Sequence, residues 1–246
     1  MLKYPLSTLL YLAKINIKDT IKDALKLHNN IDISLTAIIK DKDGKVIKVH
    51  KQRSHSFVAN FLAMIGTALF TTYGSFTYVY YVQSTNGNWS DADDGSTTGN
   101  TFLPMLDSAN DSSYGIVVGT GTATPTPQDY KLGNQIVNGT GSGQLVYNAH
   151  TYSPPGSTSF IYNQSAKPTS AVLTPSGNIT SIQVSRTFQN QSGASITVSE
   201  VGIISKFLTY QNTIIYVLII HDLLSSSVTI PNNAVLTIVY TISVTT

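Results

Sequence analysis

The chain has no cysteine and very little charge. With no Cys among its 246 residues, a disulfide framework and a thiolate metal site are both excluded. Charged residues make up 11% of the sequence, against about 25% in typical soluble domains. Ser, Thr, Asn, Gln, Gly and Tyr replace them, so the sequence predicts a folded protein with a neutral polar surface. Such a surface responds weakly to acid, and an acidic external medium is compatible with it.

Groups for acid–base catalysis are also scarce. Glu200 is the sole glutamate, and no two carboxylates have a spacing typical of acid–base chemistry. The histidines show neither HExxH nor HxH spacing: His28, His50, His55, His150 and His221. His221 and Asp222 cannot form a triad with Ser225, because neighbours on a strand point to opposite faces. We therefore predict structural histidines in a non-enzymatic protein, with no catalytic, cofactor-binding or metal-binding residues.

Two loop motifs resemble ligand sites but fail on spacing. Gly119-Thr120-Gly121 lacks the third glycine of a dinucleotide loop, and Pro125 and Pro127 oppose a helix there. The aspartates within 91–95 miss the D-x-D-x-D-G pattern of a calcium loop, and no glutamate closes it. Neither motif predicts a site.

Charge is divided unevenly along the chain. Residues 1–55 hold eleven Lys/Arg against five Asp, net +6, whereas residues 56–246 hold four against eight acids, net −4. We predict a basic assembly segment over 1–55, made of a helix and a β-hairpin, followed by a β domain over 56–246. The start of the chain lacks the apolar core and cleavage site of a secretory signal, so we expect it in the mature protein.

The first predicted element is an amphipathic helix over Ser7–Leu27. Its lysines form an i,i+4 row of Lys14, Lys18, Lys22 and Lys26. A solvated face explains this row, and an anion-facing helix is the alternative. Asp19 and Asp23 dilute the positive charge, and no aromatic residues are interleaved for base stacking. Contact of residues 1–30 with nucleic acid or a membrane is therefore the less favoured interpretation.

A second helix is predicted over Ser56–Thr72. Apart from a narrow polar stripe that includes Asn60, the segment is apolar all round, with Ser54 or Ser56 as its N-cap. The pattern favours a buried core helix over a membrane span, because the apolar run is shorter than the ~20 residues that a span needs.

Short strand patterns and turn clusters fill the rest of the chain. A long excursion over 84–113 interrupts them. Asp43-Gly44 predicts the turn of the first hairpin. Apolar residues alternate along the first and last predicted strands, at Ile33, Leu35, Ala37 and Ile39 and at Leu236, Ile238 and Tyr240. These patterns predict a mainly β, antiparallel sandwich or jelly-roll-like domain. The predicted strands are Ile31–Lys40 with a return strand from Val46, Tyr114–Gly121, Gln144–Tyr152, Ser159–Tyr162, Ile179–Gln189, Ser195–Ser205, Thr213–His221, Ser226–Ile230 and Ala234–Val244. A turn at Gln191-Ser192-Gly193 predicts a hairpin, across which Arg186 and Glu200 should pair.

Six glycosylation sequons follow the second helix. We expect them on an outward-facing β region in a glycosylating host. They are Asn88, Asn110, Asn138, Asn163, Asn178 and Asn190.

Three pieces of the sequence resemble virion structural proteins of tailed phages and archaeal viruses. They are KDGKVIKVHKQRSHSFVANFLAMI, YGIVVGTGTATPTPQDYKLGNQI, and VSEVGIIS with HDLLSSSVTIPNNAVLTIVYTI. The resemblance implies a jelly-roll-like capsid, vertex, turret or tail subunit, located in the virion and arranged in a symmetric ring or shell. It implies copies of the chain and other virion proteins as partners. The basic N-terminal helix and the 84–113 excursion lie outside the resemblance. From the amphipathic pattern of residues 1–30 we predict that this segment projects from the β domain and packs on a neighbouring subunit or another virion protein. No functional residues transfer from the family.

Two other classes remain open. One is a cell-surface filament or sheath subunit, which would need a secretion signal. The other is a carbohydrate-binding β-sandwich, for which Trp89, Tyr152 and Tyr162 would supply aromatic contacts. The missing carboxylate pair opposes glycoside hydrolysis.

Overall fold

The structure is a computed structural model that describes residues 31–54, 56–70, 81–91, 108–153, 160–161, 179–209 and 213–245. Within these ranges the fold is mainly β with antiparallel sheets, as predicted. The strands are β1 (Ile31–Lys40), β2 (Val46–Arg53), β3 (Tyr81–Gln83), β4 (Trp89–Asp91), β5 (Gly115–Gly119), β6 (Val146–Ser153), β7 (Phe160–Ile161), β8 (Ile179–Gln189), β9 (Ile196–Leu208), β10 (Ile214–Ile230) and β11 (Val235–Thr245), and the helix is α1 (Ala59–Phe70). The predicted helix 7–27 and the middle of the 84–113 excursion lie outside the described residues.

The strands are arranged in three sheets. A six-stranded sheet has the order β2-β1-β11-β8-β6-β7, a three-stranded sheet has the order β10-β9-β5, and β3 pairs with β4. Strand β1 pairs with β11 along its whole length, from Ile31 opposite Val244 to Lys40 opposite Val235. The N-terminal hairpin therefore belongs to the same sheet as the C-terminal strand, and the predicted division at residue 55 does not coincide with a sheet boundary.

The β1–β2 hairpin forms at the predicted turn. Alternate residues of β1 face the core, as predicted: Ile33, Leu35, Ala37 and Ile39. In the turn, Asp41 Oδ1 accepts hydrogen bonds from the backbone N–H groups of Asp43 and Lys45, at 3.0 and 2.9 Å. Gly44 has φ +80°, a left-handed conformation that favours glycine. The Asp-Gly turn thus fixes the register of the hairpin.

Both large sheets bury their apolar residues in one core. The even-numbered residues Leu236, Ile238 and Tyr240 of β11 are buried, as the predicted alternation requires. Phe188 of β8 packs edge-on against Tyr147 of β6, with ring centroids 4.7 Å apart. The odd-numbered residues of β11 are half-buried on the outer face.

Strand β10 runs without a break where the sequence predicted two strands. Its pairing with β9 is interrupted between Leu223 and Val228, a stretch that overlaps the predicted gap at 222–225. Strand β2 binds this part instead: Gln52 Nε2 donates to the Leu223 carbonyl at 3.0 Å, and Lys48 Nζ to the Ser227 carbonyl at 3.1 Å. Tertiary contacts therefore keep the polar segment extended.

The predicted β8–β9 hairpin is wrong. A turn does form after β8, but β8 lies in the six-stranded sheet and β9 in the three-stranded sheet. The turn that starts at Pro231 takes the chain back from the three-stranded sheet to the six-stranded sheet. Buried Asn190 joins the two turns, because its Nδ2 donates to the carbonyls of Ala194 and Ile230 at 2.7 and 2.8 Å. The backbone N–H of Asn233 also donates to the Asn190 carbonyl, at 2.7 Å.

Helix α1 lies within the predicted segment but begins later and without a serine cap. Ser54 and Ser56 precede it, and Ser54 Oγ donates to Asp222 Oδ2 at 2.7 Å. The first helical N–H group, that of Ala59, donates to the Pro127 carbonyl at 2.7 Å. A carbonyl of a distant loop thus replaces the predicted cap.

The helix packs onto the sheets rather than inside them. Met64 is buried, but Leu62 is 68% exposed. The prediction of a helix buried on all sides is therefore wrong, because one side of α1 faces solvent. Asn60 of the polar stripe faces the sheets, where its side chain binds the backbone of Gln83 in β3 and donates to the Leu218 carbonyl in β10. None of the helical residues described here forms a run long and apolar enough to cross a bilayer.

Candidate functional site

Glu200 of β9 lies in a cradle of backbone N–H groups. The residue is 1% exposed. Oε1 accepts from Gly121 N at 2.8 Å and from Asn134 N at 2.7 Å, and Oε2 accepts from Gly133 N at 2.9 Å. The predicted pairing of Glu200 with Arg186 is wrong, because three backbone donors and a histidine supply its partners.

The glycines of the 119–121 motif make room for this carboxylate. A Cβ on Gly121 would lie 2.5 Å from Glu200 Oε1, and one on Gly119 would meet the same oxygen. These residues therefore bring the backbone close to an anion, as glycines do in a phosphate loop. Here the anion is a side chain of the chain itself.

His221 of β10 is held between two carboxylates. Its Nε2 lies 2.9 Å from Glu200 Oε2, and its Nδ1 lies 2.6 Å from Asp129 Oδ2 in the loop after β5. Ionised carboxylates only accept hydrogen bonds, so both ring nitrogens carry protons and the ring is an imidazolium. Burial makes this arrangement costly unless each charge is paired and hydrogen-bonded, as it is here.

These contacts shift the pKa values of all three groups. Burial alone would raise the pKa of Glu200, but hydrogen bonds from His221, Asn134, Gly133 and Gly121 outweigh it and lower this pKa to about 2. Burial would lower the pKa of His221, but its bonds to the two carboxylates raise it. Hydrogen bonds from Thr126 and His221 likewise outweigh burial and lower the pKa of Asp129. Each shift favours the charged form.

Asp222, the next residue on β10, contacts β11 and the end of β2 instead of the 120–134 loop. Its Oδ2 accepts the hydroxyl of Ser54 at the end of β2 and, at 2.9 Å, the hydroxyl of buried Tyr240 in β11. Burial, together with the charge of Asp222, raises the pKa of Tyr240 well above its ordinary value. We call Asp129, Glu200, His221 and Asp222 the junction, since they join both large sheets to the 120–134 loop.

The junction also positions the start of α1. The same 120–134 loop carries Pro127, whose carbonyl accepts from Ala59 N. The backbone N–H of His221 donates to the Ser56 carbonyl at 3.0 Å, just before the helix. One buried cluster therefore fixes the loop, the helix start and the packing of the two sheets.

The geometry gives the junction a structural role. Both ring nitrogens of His221 are bonded, so no lone pair remains to accept a proton from a nucleophile. Ser225 lies elsewhere, with its hydroxyl 3.3 Å from Nε2 of His50. Among the described residues no cluster of three His, Asp or Glu side chains is arranged to hold a metal ion. Asp93 and Asp94 of the weak calcium motif lie outside those residues.

Arg186 is the centre of a second buried group of hydrogen bonds. The residue is 1% exposed, and its guanidinium carbon lies 4.7 Å from the centre of the Tyr147 ring. Its guanidinium donates hydrogen bonds to four backbone carbonyls in β5 and the segment before it, and to one in β6: Ser108, Asp111, Tyr114 and Ile116, and Asn148. Arg186 therefore holds the segment entering β5 against the six-stranded sheet.

The remaining predicted residues fall in several places. His150 is buried and accepts the N–H of Ile116 at 2.8 Å, consistent with a structural histidine. Asn190 is fully buried, so its sequon is not outward-facing, whereas Asn88 and Asn110 are exposed. Trp89 is 65% exposed. Further predicted residues lie outside the described residues: His28, His55, Tyr162, Asn163 and Asn178.

The outer face of the six-stranded sheet is the second candidate site. Across β1, β11 and β8 its rows consist of uncharged side chains, most of them half-buried: Ser34, Thr241 and Gln183; Thr36, Val239 and Ser185; Ile38, Thr237 and Thr187. Among the described outward residues of these three strands, charge occurs at Asp32 and Lys40, near the ends of β1. We call this surface the neutral face.

No protein-family model, curated protein or solved structure matches this chain. Its function must therefore be inferred from these two sites.

Gly121→Ala tests the cradle. The added Cβ overlaps Glu200, so we expect the free energy of unfolding to fall by about 2–4 kcal/mol. Gly133→Ala is the matched control, because its Cβ would lie 3.5 Å from the nearest Glu200 oxygen, an ordinary contact. Urea denaturation measures both. Equal effects of the two substitutions would show that the close approach at Gly121 is unimportant.

The junction should stabilise the fold most in mild acid. The His221 contribution is complete below its ordinary pKa of 6.5 and disappears as pH rises through the raised value. The Glu200 contribution is complete above 4.5 and disappears as pH falls towards about 2. That shift corresponds to roughly 3 kcal/mol. We expect the stability difference between wild type and His221→Gln to peak between these limits and to shrink in alkali.

Urea unfolding across this pH range measures the difference. Asn60→Ala is the control, since it removes buried hydrogen bonds without a titrating group and should lower stability equally at every pH. A wild-type minus His221→Gln difference that is constant with pH would contradict the charged-junction interpretation.

Proposed function

We propose that this chain is a non-enzymatic virion structural protein, a subunit of a symmetric capsid, vertex or tail assembly. The observation that supports this most is the neutral face. A solvated sheet usually alternates apolar residues with polar and often charged ones, and charge on edges and faces is a common protection against association. Here the central rows keep Thr, Ser and Val instead.

The neutral face suits contact between copies. Its side chains can be covered by a second subunit without burying unpaired ions, and threonine and serine hydroxyls can bond across the contact. The net charge of the whole chain is only +2, so long-range repulsion between subunits is weak. Both properties favour a homo-oligomer, as repeated contacts in a ring or shell require.

We also propose that the two large sheets form a sandwich with jelly-roll-like connections. Three features support this arrangement. The first and last long strands, β1 and β11, are neighbours. The chain changes sheet after β8 and again after β10. Two residues of the six-stranded sheet bind the three-stranded sheet, Tyr240 through the Asp222 side chain and Arg186 through the Ile116 carbonyl. In this proposal residues 1–30 project from the sandwich onto a neighbouring virion protein.

A carbohydrate-binding module is the second candidate. Tyr81 and Trp89 are 62% and 65% exposed, and β3 pairs with β4 so that Gln83 lies opposite Trp89. Exposed aromatic rings present an apolar face with a polar edge, which permits contact with a sugar ring. This function would use the β3–β4 hairpin and leave the neutral face free.

Val239→Lys tests the assembly proposal at the centre of the neutral face. Val137→Lys is the matched control, because Val137 is 49% exposed and lies outside this face. We expect the wild type and the control to self-associate, and Val239→Lys to weaken association about tenfold or more, because a subunit contact would bury its charge. Sedimentation velocity over a concentration series measures this, with circular dichroism to check the fold.

A wild-type chain that stays monomeric at high concentration would contradict the proposal. Mass spectrometry of gradient-purified particles then tests the virion assignment directly. The chain should be present in fixed stoichiometry with the other particle proteins, and its absence would leave a filament subunit or a sugar-binding module as the better account.

A further inference from the structure

Strand β2 is an edge strand with an unusual surface. It pairs with β1 on one side, and no strand among the described residues pairs with its other side. Three of its apolar side chains are exposed: Val46 by 48%, Ile47 by 53% and Val49 by 58%. A bulge at the Ile39–Lys40 pairing leaves Ile47 without a partner on β1. An exposed edge of this kind is a ready template for another extended segment.

The hairpin that carries this edge is strongly basic. Residues 40–53 contain six Lys/Arg and two Asp, net +4. Lys45 and Lys51 are exposed and flank the apolar residues, whereas Lys48 and Arg53 bind Ser227 and Asp32. Lysine on an edge strand opposes pairing with an identical strand, because like charges would be brought together. The edge therefore favours an acidic partner over a second β2.

The chain itself contains a complementary segment. Residues 84–113 hold five Asp and no Lys or Arg, net −5, and they include Trp89 and the apolar run Phe102–Leu106 apart from its proline. The negative charge of this segment matches the exposed lysines of the β2 edge, and its apolar side chains match the exposed valines and isoleucine of that edge. Residues 1–30 are a poorer match, since they hold five Lys against two Asp.

We infer that the β2 edge of one subunit binds the acidic segment 84–113 of a second copy. The inference rests on the proposed function and adds to it the direction of assembly. The two surfaces differ, so the contact is head-to-tail, and such contacts form closed rings when the rotation between subunits closes. Charge attraction supplies orientation and rate of association, and the exposed Val and Ile side chains supply burial.

A charge-swap series tests this contact. One variant carries Lys45→Glu and Lys51→Glu, a second carries Asp93→Lys and Asp94→Lys, and a third carries all four substitutions. Each pair should weaken self-association about tenfold at low salt, because it places like charges in contact. The combined variant should recover association to within about threefold of wild type, because the charges are complementary again. Sedimentation velocity measures all four chains.

Lys131→Glu is the control, an exposed charge reversal outside the hairpin that should leave association unchanged. Self-association of the wild type with no loss in either pair of substitutions would overturn the contact and leave the proposed function standing. Loss in the lysine pair alone, or loss in both without recovery in the combined variant, would also overturn it. A wild type that never self-associates would overturn the proposed function itself.

Discussion

The fold depends on burying one glutamate as an ion. Glu200 lies inside the three-stranded sheet, where an unpaired carboxylate would be too costly to retain its charge. Its charge is balanced by three backbone N–H groups and by the His221 imidazolium, which a second carboxylate holds from the other side. Its partners come from the 120–134 loop and from β10, so the charge is stabilised only when this loop, β9 and β10 are assembled together. Burial of this ion therefore makes the local structure cooperative.

Other parts of the architecture connect to the same point. Asp222 joins β10 to Ser54 and Tyr240, and the 120–134 loop supplies the carbonyl that caps α1. Strands β1, β11 and β8 are then free to present an uncharged outer face, because the charges that the fold needs lie inside. The same division explains how a chain with few charged residues can contain a dense buried ionic cluster and still offer a neutral surface for assembly.

The sequence predicted local elements well and their tertiary partners poorly. The period-2 pattern predicted β1 and β8 with their observed bounds, and the Asp-Gly turn predicted the first hairpin, since these features depend on neighbouring residues. The turn after β8 was found, but nothing local shows whether a turn returns to the same sheet, so the pairing of Arg186 with Glu200 was wrong. His221 was noted and assigned a structural role, yet Asp129 lies 92 residues away and could not be identified as its partner. The spacing at 119–121 excludes a phosphate loop, and nothing in the sequence indicates that these glycines accommodate the Glu200 carboxylate instead.

The protonation state of His221 tests this account most directly. In protein labelled with ¹⁵N-histidine, the ring signals that disappear in His221→Gln belong to this residue. The account predicts two protonated ring nitrogens at about pH 7, with loss of a proton only above the ordinary histidine range. A neutral His221 ring at that pH would contradict it, because Glu200 and Asp129 would then share no cation and the buried junction could not hold the loop as an ion cluster.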